Sequence, residues 1–515
     1  MTRSSKKASR RSILKAAAGG GCGMMTNTSI MSTLLNLQAT KAMAAENGAG
    51  GYKAMVCLFL FGGNDSYNML VPRNNASNSI NSKEYDDYAS VRGGYDDGNN
   101  NPGGLALKQS DLLAINDPDN LSNRSFGLHP GMGHSARVFD QNDNVIDDGN
   151  KGLQGGVAKL YNEKKVAFIS NIGTLLERTS RQDYNNRANL PLGLFSHADL
   201  QRHWMTGVPD TRSQTTGWGG RMADLLQSTN QNENVSMNIS INGVNIFQTG
   251  GDVIPYIIGQ NGATQVYAYN NGSRQNRMFK KSIDNQLGQA YANLLSKSFA
   301  ETHRGSIDAA IEFNSQVNTV SLNTNFDPDT LSQRFKKIAQ VIGASSELQQ
   351  TRQVFFVSIG GWDNHANLLD AQQNNLPQVS RALSSFYEAL EELKCENDVI
   401  TFTASDFART LGTNGQGSDH AWGGNHLIMG GGIDGGKIFG EYPSSLLNPL
   451  DPTYGNLNLG RGRLIPTTSV DEFAAEMAMW FGVNNEQDLK TVLPNIGSFY
   501  EYQAGSPPIG FIKST

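Results

Sequence analysis

Four short apolar runs restrict the chain to folds built on a buried sheet. The runs are Met55–Phe61, Val166–Ser170, Val354–Ile359 and Val399–Phe402. None of them alternates between apolar and polar residues, so each is typical of a strand that is buried on both faces. A sheet buried in this way needs helices on both sides, and the sequence therefore predicts an α/β domain.

The C-terminal third of the chain has the order helix, strand, helix, strand. Asp327 and Pro328 are typical of a helix cap and a first-turn proline, and apolar residues follow at helical spacing up to Gly343. A second apolar helical pattern, Leu376–Leu393, lies between the last two apolar runs. Helices between buried strands predict right-handed crossovers and a mostly parallel sheet, with functional groups beyond the carboxyl ends of its strands.

The first 44 residues have the features of a twin-arginine signal peptide. Arg10 and Arg11 lie in the segment Ser9–Lys15, a weakly apolar stretch follows, and Ala42–Ala44 is a small-x-small cleavage site. We therefore predict that residues 1–44 are removed and that the protein is periplasmic or secreted. The twin-arginine translocase would be its partner during export.

Residues 45–515 are predicted to form one elaborated domain. An Asn- and Gly-rich insertion is expected around 74–150, and an insertion or cap around 230–325, with a helix near Asn285–Phe313. Cys57 and Cys395 lie in or beside predicted core strands, so we expect them to be free thiols.

The charge balance argues against two classes of partner. The chain has a formal charge of -5, and residues 1–44 contain seven basic and no acidic residues, so the mature chain carries -12. A chain this acidic has no net electrostatic attraction for nucleic acid or anionic lipid. The stretch Ala16–Leu37 is too polar to span a bilayer stably, so no stable membrane span is expected after cleavage.

Acidic residues and histidines follow the predicted strands at their carboxyl ends. Asp65 follows the first strand, Asp363 and His365 follow the third, and Asp406 follows the fourth. Because the carboxyl ends of parallel strands meet at one edge of a sheet, we expect these side chains to lie close together. Carboxylate oxygens and imidazole nitrogens are ligands for divalent ions, with Zn, Mn, Mg and Ca as the candidates. The sequence therefore predicts a metal site at this edge.

A downstream loop supplies more residues of the same kind, namely Asp419, His420 and His426. Two ions in such a site would stabilise the attacking and leaving oxygens of a phosphoryl or sulfuryl transfer. The alternative is that these residues only form turns and internal hydrogen bonds, as Asp and Asn commonly do.

Ser196 is the candidate nucleophile, because a serine at the start of a helix lies at the positive end of the helix dipole. Two alternatives remain open: Ser196 caps the helix together with Asp199 in a capping box, or a metal-bound water attacks instead. Arg409 could bind an anionic substrate group or pair with a neighbouring carboxylate.

These motifs, taken together and in order, resemble a known family. The chain is similar to the domain of unknown function family 1501 from Tyr52 to Phe499. The resemblance implies an alkaline-phosphatase-like fold, shared with sulfatases and cofactor-independent phosphoglycerate mutase, with a parallel α/β sheet and a two-metal site. The motifs that carry it are Gly62–Asp65, Leu128–Met132, Ser196-His197, Gly361–His365, Ser405–Arg409 and Ser418–His420.

The resemblance also assigns roles to individual residues. It implies that Asp65 is a metal ligand, that Ser196 is the nucleophile, and that Asp363 and His365 bind one metal together. The ligands of the second metal come either from Asp406 or from the loop that contains Asp419, His420 and His426.

Two functions are consistent with these features. The first is an exported metal-dependent hydrolase of phosphate or sulfate esters, whose substrate is an anionic small molecule or polysaccharide ester. Ser196 or a metal-bound water would attack, and Arg409 or His197 would steady the anion. The second is a non-catalytic periplasmic or cell-envelope protein that keeps the fold and binds a metal or a polysaccharide.

Overall fold

The computed structural model describes most of the chain after residue 50. The predicted signal peptide, residues 1–44, and its cleavage site lie outside the described residues. No helix in the described part of the chain is both long enough and apolar enough to cross a bilayer. The described residues are 51–73, 83–97, 101, 103–121, 124–232, 234–270, 272–443, 446, 450–451 and 455–513.

A nine-stranded sheet forms the centre of the structure. Its strands are numbered β1 to β9 in chain order. They are Lys53–Leu60, Val166–Gly173, Asn238–Ser240, Tyr256–Ile257, Arg352–Ile359, Val399–Ser405, Gly424–Met429, Ile438–Gly440 and Thr468–Ser469.

The sheet is mostly parallel, as the sequence predicts. Its order is β8-β2-β7-β6-β1-β5-β3-β4, and β9 also pairs with β2. Only β7 among these strands runs antiparallel to its neighbours, β6 and β2. Leu60 at the end of β1 lies opposite Ile359 of β5 on one side and Ser405 of β6 on the other. The three strands therefore end level, and the loops that follow them share one edge.

Helices cover both faces of the sheet. The helices of the described residues are numbered α1 to α13 in chain order. They are Ser66–Met69, Glu84–Val91, Gly156–Asn162, Arg181–Asn186, His197–Thr206, Trp218–Leu226, Tyr267–Asn270, Arg274–Leu287, Leu294–Val317, Thr330–Gly343, Leu368–Glu392, Val470–Phe481 and Glu486–Val492.

The side chains of β1 alternate between two apolar cores. Val56 and Leu58 pack in the core that contains α3, α10 and α11. Met55, Cys57 and Phe59 pack in the opposite core, with α6, α12 and α13. An uninterrupted apolar run is thus required here, because successive residues of a strand point to opposite faces and both faces are covered.

The start of the helix in the C-terminal third differs from the prediction, because α10 begins at Thr330 and Pro328 precedes its cap. Asp329, not Asp327, caps α10, because its side chain accepts a hydrogen bond from the Ser332 amide at 2.9 Å. The buried Asp327 instead pairs with Arg137, with both oxygens at 2.7 Å from guanidinium nitrogens. The parallel strands β5 and β6 are joined through α11, as the crossover predicts, and β1 lies between them.

The regions predicted as insertions contain short elements. Within 74–150, Phe126–Leu128 pairs with Leu70–Pro72 and with Leu113–Ala114, and Val138–Phe139 pairs with Val145–Asp147. Within 230–325, β3 and β4 extend the edge of the central sheet. The single helix expected near 285–313 is two helices, because α8 ends at Leu287 before Gly288 and α9 begins at Leu294. Beyond these regions, Leu450–Asp451 pairs with Gly455–Asn456.

Both cysteines of the described residues are free. Cys57 is buried in β1, and Cys395 follows α11 and is half-buried. Burial raises the pKa of the Cys395 thiol to about 12, so this thiol stays protonated at neutral pH and is a poor nucleophile.

We expect Asp471 in the first turn of α12 to make stability depend on pH. Burial raises its pKa to about 8, against about 3.9 in an unfolded chain. Below the unfolded value the carboxyl is protonated in both states. As pH rises from about 4 to about 8, the unfolded state loses its proton first, so the free energy of unfolding should fall.

Urea unfolding at several pH values measures this effect. In Asp471→Asn, the free energy of unfolding should fall less steeply between about pH 4 and about pH 8. Asp370→Asn is the control, because Asp370 occupies the first turn of α11 but is exposed. Parallel pH profiles for Asp471→Asn and the unmodified chain would contradict the assignment.

Candidate metal centre

The loops after β1, β5 and β6 bring their polar residues together at the level edge of the sheet. Gly62 makes the close approach possible. It has φ of +120°, and a Cβ at this position would lie 2.4 Å from the Asp363 amide nitrogen. Any larger residue would separate the β1 loop from the β5 loop. The N-terminus of α5 and the loop before β7 complete the edge by placing His197 and His420 there.

Three imidazoles surround one oxygen of Asp363. The Nε2 atoms of His365, His197 and His420 lie 3.1, 3.6 and 3.7 Å from Asp363 Oδ1. The Nε2 atoms of His365 and His420 are 3.0 Å apart. His197, Asp363 and His420 each offer one ligand atom within 4.8 Å of the others, and this group could hold a metal ion.

The Nδ1 atom of His197 is held by a buried carboxylate. It lies 2.7 Å from Asp406 Oδ2, which also accepts from Gln201 Nε2 at 2.7 Å. The other oxygen, Oδ1, accepts from the Gly62 amide at 3.1 Å. Asp406 is fully buried, so these bonds fix both the position of the carboxylate and the direction of the imidazole.

The other two imidazoles are held in the same way. His365 Nδ1 lies 3.0 Å from Asp419 Oδ1, and Arg461 pairs with the second oxygen of Asp419 at 2.5 Å. His420 Nδ1 donates to the Phe195 carbonyl at 2.8 Å. Because each Nδ1 lies against an oxygen, each ring directs its Nε2 towards Asp363.

The spacing of these side chains suits a metal ion. Four contacts among the Nε2 atoms and Asp363 Oδ1 measure 3.0–3.7 Å. Ligands placed about 2.0–2.1 Å from a tetrahedral zinc ion are roughly 3.3–3.4 Å apart, which is close to these contacts. The group whose ligand atoms all lie within 4.8 Å of one another is His197, Asp363 and His420, and the Arg409 guanidinium already contacts Asp363 Oδ1.

The electrostatics favour the ionised form of Asp363 and the neutral form of His420. Burial raises the pKa of Asp363, but the Arg409 hydrogen bond and charge, together with His197 and His365, outweigh burial and lower it. Burial, with the nearby charges of His197 and Arg409, lowers the pKa of His420. An ionised carboxylate and a neutral imidazole are the forms that bind metal ions.

Arg409 ties the loops of the site together. Its side chain is buried, and it contacts Asp363 Oδ1 directly. Its remaining hydrogen bonds leave little capacity to bind an external anion. They go to the backbone carbonyls of Gly62, Gly63, Trp362 and Ser418.

Several residues expected at the site lie elsewhere. Asp65 forms a fully buried ion pair with Arg92. His426 lies inside the sheet, 4.7 Å from the Trp204 ring, and burial lowers its pKa to about 3. Asp406 and Asp419 contact the Nδ1 atoms of His197 and His365, on the side of each ring away from Asp363, and orient these rings.

Ser196 precedes α5 as its N-cap residue, but its side chain accepts no capping hydrogen bond. The pKa of Asp199, in the first turn of this helix, is lowered mainly by Arg212 and less strongly by Ser196. Ser196 therefore lies beside a carboxylate at the start of the helix. The contacts made by Gln201 and by the Phe195 carbonyl could not be predicted from sequence, because neither residue belongs to a recognisable ligand motif.

The chain belongs to the family of proteins of unknown function DUF1501, whose profile matches residues 52–493. This confirms the resemblance found in the ordered motifs. No curated protein matches the sequence.

Among solved structures, the chain is similar to the crystal structure of Ps i-CgsB in complex with k-i-k-neocarrahexaose. The identity is 10%, the similarity covers 86% of this chain and 74% of that chain, and the TM-score is 0.30.

We expect the buried ion pair of Asp65 and Arg92 to stabilise the fold. Asp65→Asn leaves the Arg92 charge buried without its partner, and removing one member of a buried ion pair costs roughly 3–5 kcal/mol. Urea unfolding should show a loss of this size, whereas Asp252→Asn, at an exposed position, should have little effect. A loss below about 1 kcal/mol would mean that the pair behaves as a surface ion pair.

Proposed function

We propose that this protein is an exported metalloprotein in which His197, Asp363, His365 and His420 bind one divalent ion. The observation that carries the proposal is the set of three Nε2 atoms directed at Asp363 Oδ1, with the Nδ1 atom of each ring held by an oxygen. Ligating histidines in metalloproteins are held in this way by carboxylates and backbone carbonyls.

Zinc fits this set of donors best. Three imidazole nitrogens and one carboxylate oxygen are typical of four-coordinate zinc, whereas calcium and magnesium prefer sets made of oxygen ligands. The single cluster also favours one ion over the two that the family resemblance implies. Its location in the periplasm or outside the cell follows from the predicted twin-arginine signal.

The activity that this site supports best is hydrolysis of phosphate or sulfate esters, including those of anionic polysaccharides. A zinc ion would supply Lewis-acid activation of water and of an ester oxygen. The side chains of Asp363 and His365 are about half exposed, which supports access for a substrate. Arg461, half exposed beside Asp419, is better placed than Arg409 to attract an anionic group.

One observation favours the non-catalytic alternative. Four protein ligands complete a tetrahedral shell, and closed shells are typical of structural zinc, whereas catalytic zinc keeps a position open for water or substrate. Arg409 affects whether the zinc would have three or four protein ligands. Its guanidinium contacts Asp363 Oδ1, the oxygen that would be the fourth ligand. If Arg409 keeps that oxygen, the fourth position stays open.

We expect the purified protein to contain about one zinc ion per chain by elemental analysis after dialysis. His420→Ala and His197→Ala should lose it. Asp406→Asn should weaken zinc binding by roughly 10- to 100-fold, because it only orients His197. His303→Ala is the control, since His303 is an exposed histidine of α9. A folded chain that binds no stoichiometric zinc, manganese, magnesium or calcium would overturn the proposal.

We expect the zinc-loaded protein to hydrolyse aryl phosphate or aryl sulfate esters, and a chelator or His420→Ala should abolish turnover. Ser196→Ala should keep turnover within a few-fold if water is the nucleophile. Turnover lost in Ser196→Ala with zinc retained would assign the attack to the serine. A zinc-loaded chain without turnover on a broad ester panel would favour the non-catalytic alternative.

A further inference from the structure

Helix α8 and the start of α9 form an exposed surface that is both apolar and basic. On α8, Asn276 is the only buried residue among those described. Met278 and Phe279 are 67% and 54% exposed, and Leu294, Leu295 and Phe299 of α9 are 63–80% exposed. Large apolar side chains exposed on neighbouring segments are typical of interaction surfaces, because their burial against a partner is favourable. We call these two helical segments the 274–299 surface.

The charge of this surface is opposite to that of the rest of the chain. Residues 274–299 contain five Lys or Arg residues and one acidic residue, Asp284, and so carry +4 in a chain of formal charge -5. The rest of the chain therefore carries -9. The cations are Arg274, Arg277, Lys280, Lys281 and Lys297.

An ion pair joins the two helices, and the later part of α9 is buried in the core. Asp284 of α8 pairs with Arg304 of α9 at 2.5 Å. Helix α9 enters the core from Ala300 onwards, and its first turn is exposed. Lys280 pairs with Asp284 and Lys297 lies 3.8 Å from Glu301, whereas the exposed Arg274 and Lys281 remain available to a partner together with the apolar side chains.

We propose that the 274–299 surface docks on an anionic lipid bilayer. Helices with basic residues and exposed Phe, Leu or Met lie in the membrane interface, where the apolar side chains enter the acyl boundary and the cations face phosphate groups. A second copy of the chain fits less well, because a symmetric contact would bring two surfaces of charge +4 together. This proposal does not depend on the metal site.

The test is hydrogen–deuterium exchange of the full chain with vesicles of phosphatidylcholine and phosphatidylglycerol in equal parts. We expect slower exchange in 274–299, and no such change with vesicles of phosphatidylcholine alone. The readout is local, so binding by the basic residues of 1–44 does not obscure it. Leu295→Asp, and Arg274→Glu with Lys281→Glu, should each remove the protection. The double charge reversal should weaken vesicle association of this surface by roughly tenfold or more.

Matched controls separate docking from misfolding. Ile146→Asp changes another exposed apolar residue, and Lys108→Glu with Lys394→Glu reverses two exposed cations elsewhere. Both control variants should keep the protection, and all variants should melt like the unmodified chain. Three outcomes would overturn the proposal: no protection in 274–299, protection that persists in Leu295→Asp, or protection that appears without lipid together with a dimer in light scattering.

Discussion

The candidate centre depends on one buried guanidinium. Arg409 bonds to carbonyls of the β1 loop, the β5 loop and the loop before β7, and also contacts Asp363. No single strand could position the ligands, because they come from separate parts of the chain. A planar group with several fixed donors can hold three loops in one geometry, which a lysine with one point charge cannot do. The rigidity of the site is therefore a property of the loops and of Arg409 together.

The carboxylates at this edge have two different roles. Asp363 points at the imidazole nitrogens, whereas Asp406 and Asp419 lie on the far side of the rings. A residue behind a ligand controls the direction and basicity of that ligand. An aspartate can thus either face the ion directly or hold a histidine that faces it. A difference of a few ångströms in its position decides between the two roles.

Much of the scaffold could be predicted from the sequence, and much of the site could not. The apolar runs predict β1, β2, β5 and β6 because burial on both faces leaves a local signature. The insertion of β1 between β5 and β6 leaves none, since strand order depends on contacts between distant residues. For the same reason, the sequence groups Asp65 with the other carboxylates, although it pairs with Arg92. The basic 274–299 surface likewise cannot be predicted from the net charge, because acidic residues in the rest of the chain make the total negative.

The separation of the site residues along the chain has a consequence for folding. His197 is 209 residues from the carboxylate that orients it, and His365 is 54 residues from Asp419. Such contacts form late, because closing long loops costs entropy before any contact is gained. A metal ion whose ligands come from all of these segments would therefore bind the folded chain and not the unfolded chain. Occupancy of the centre would then report that folding is complete, and the free ion concentration would shift the folding equilibrium by mass action.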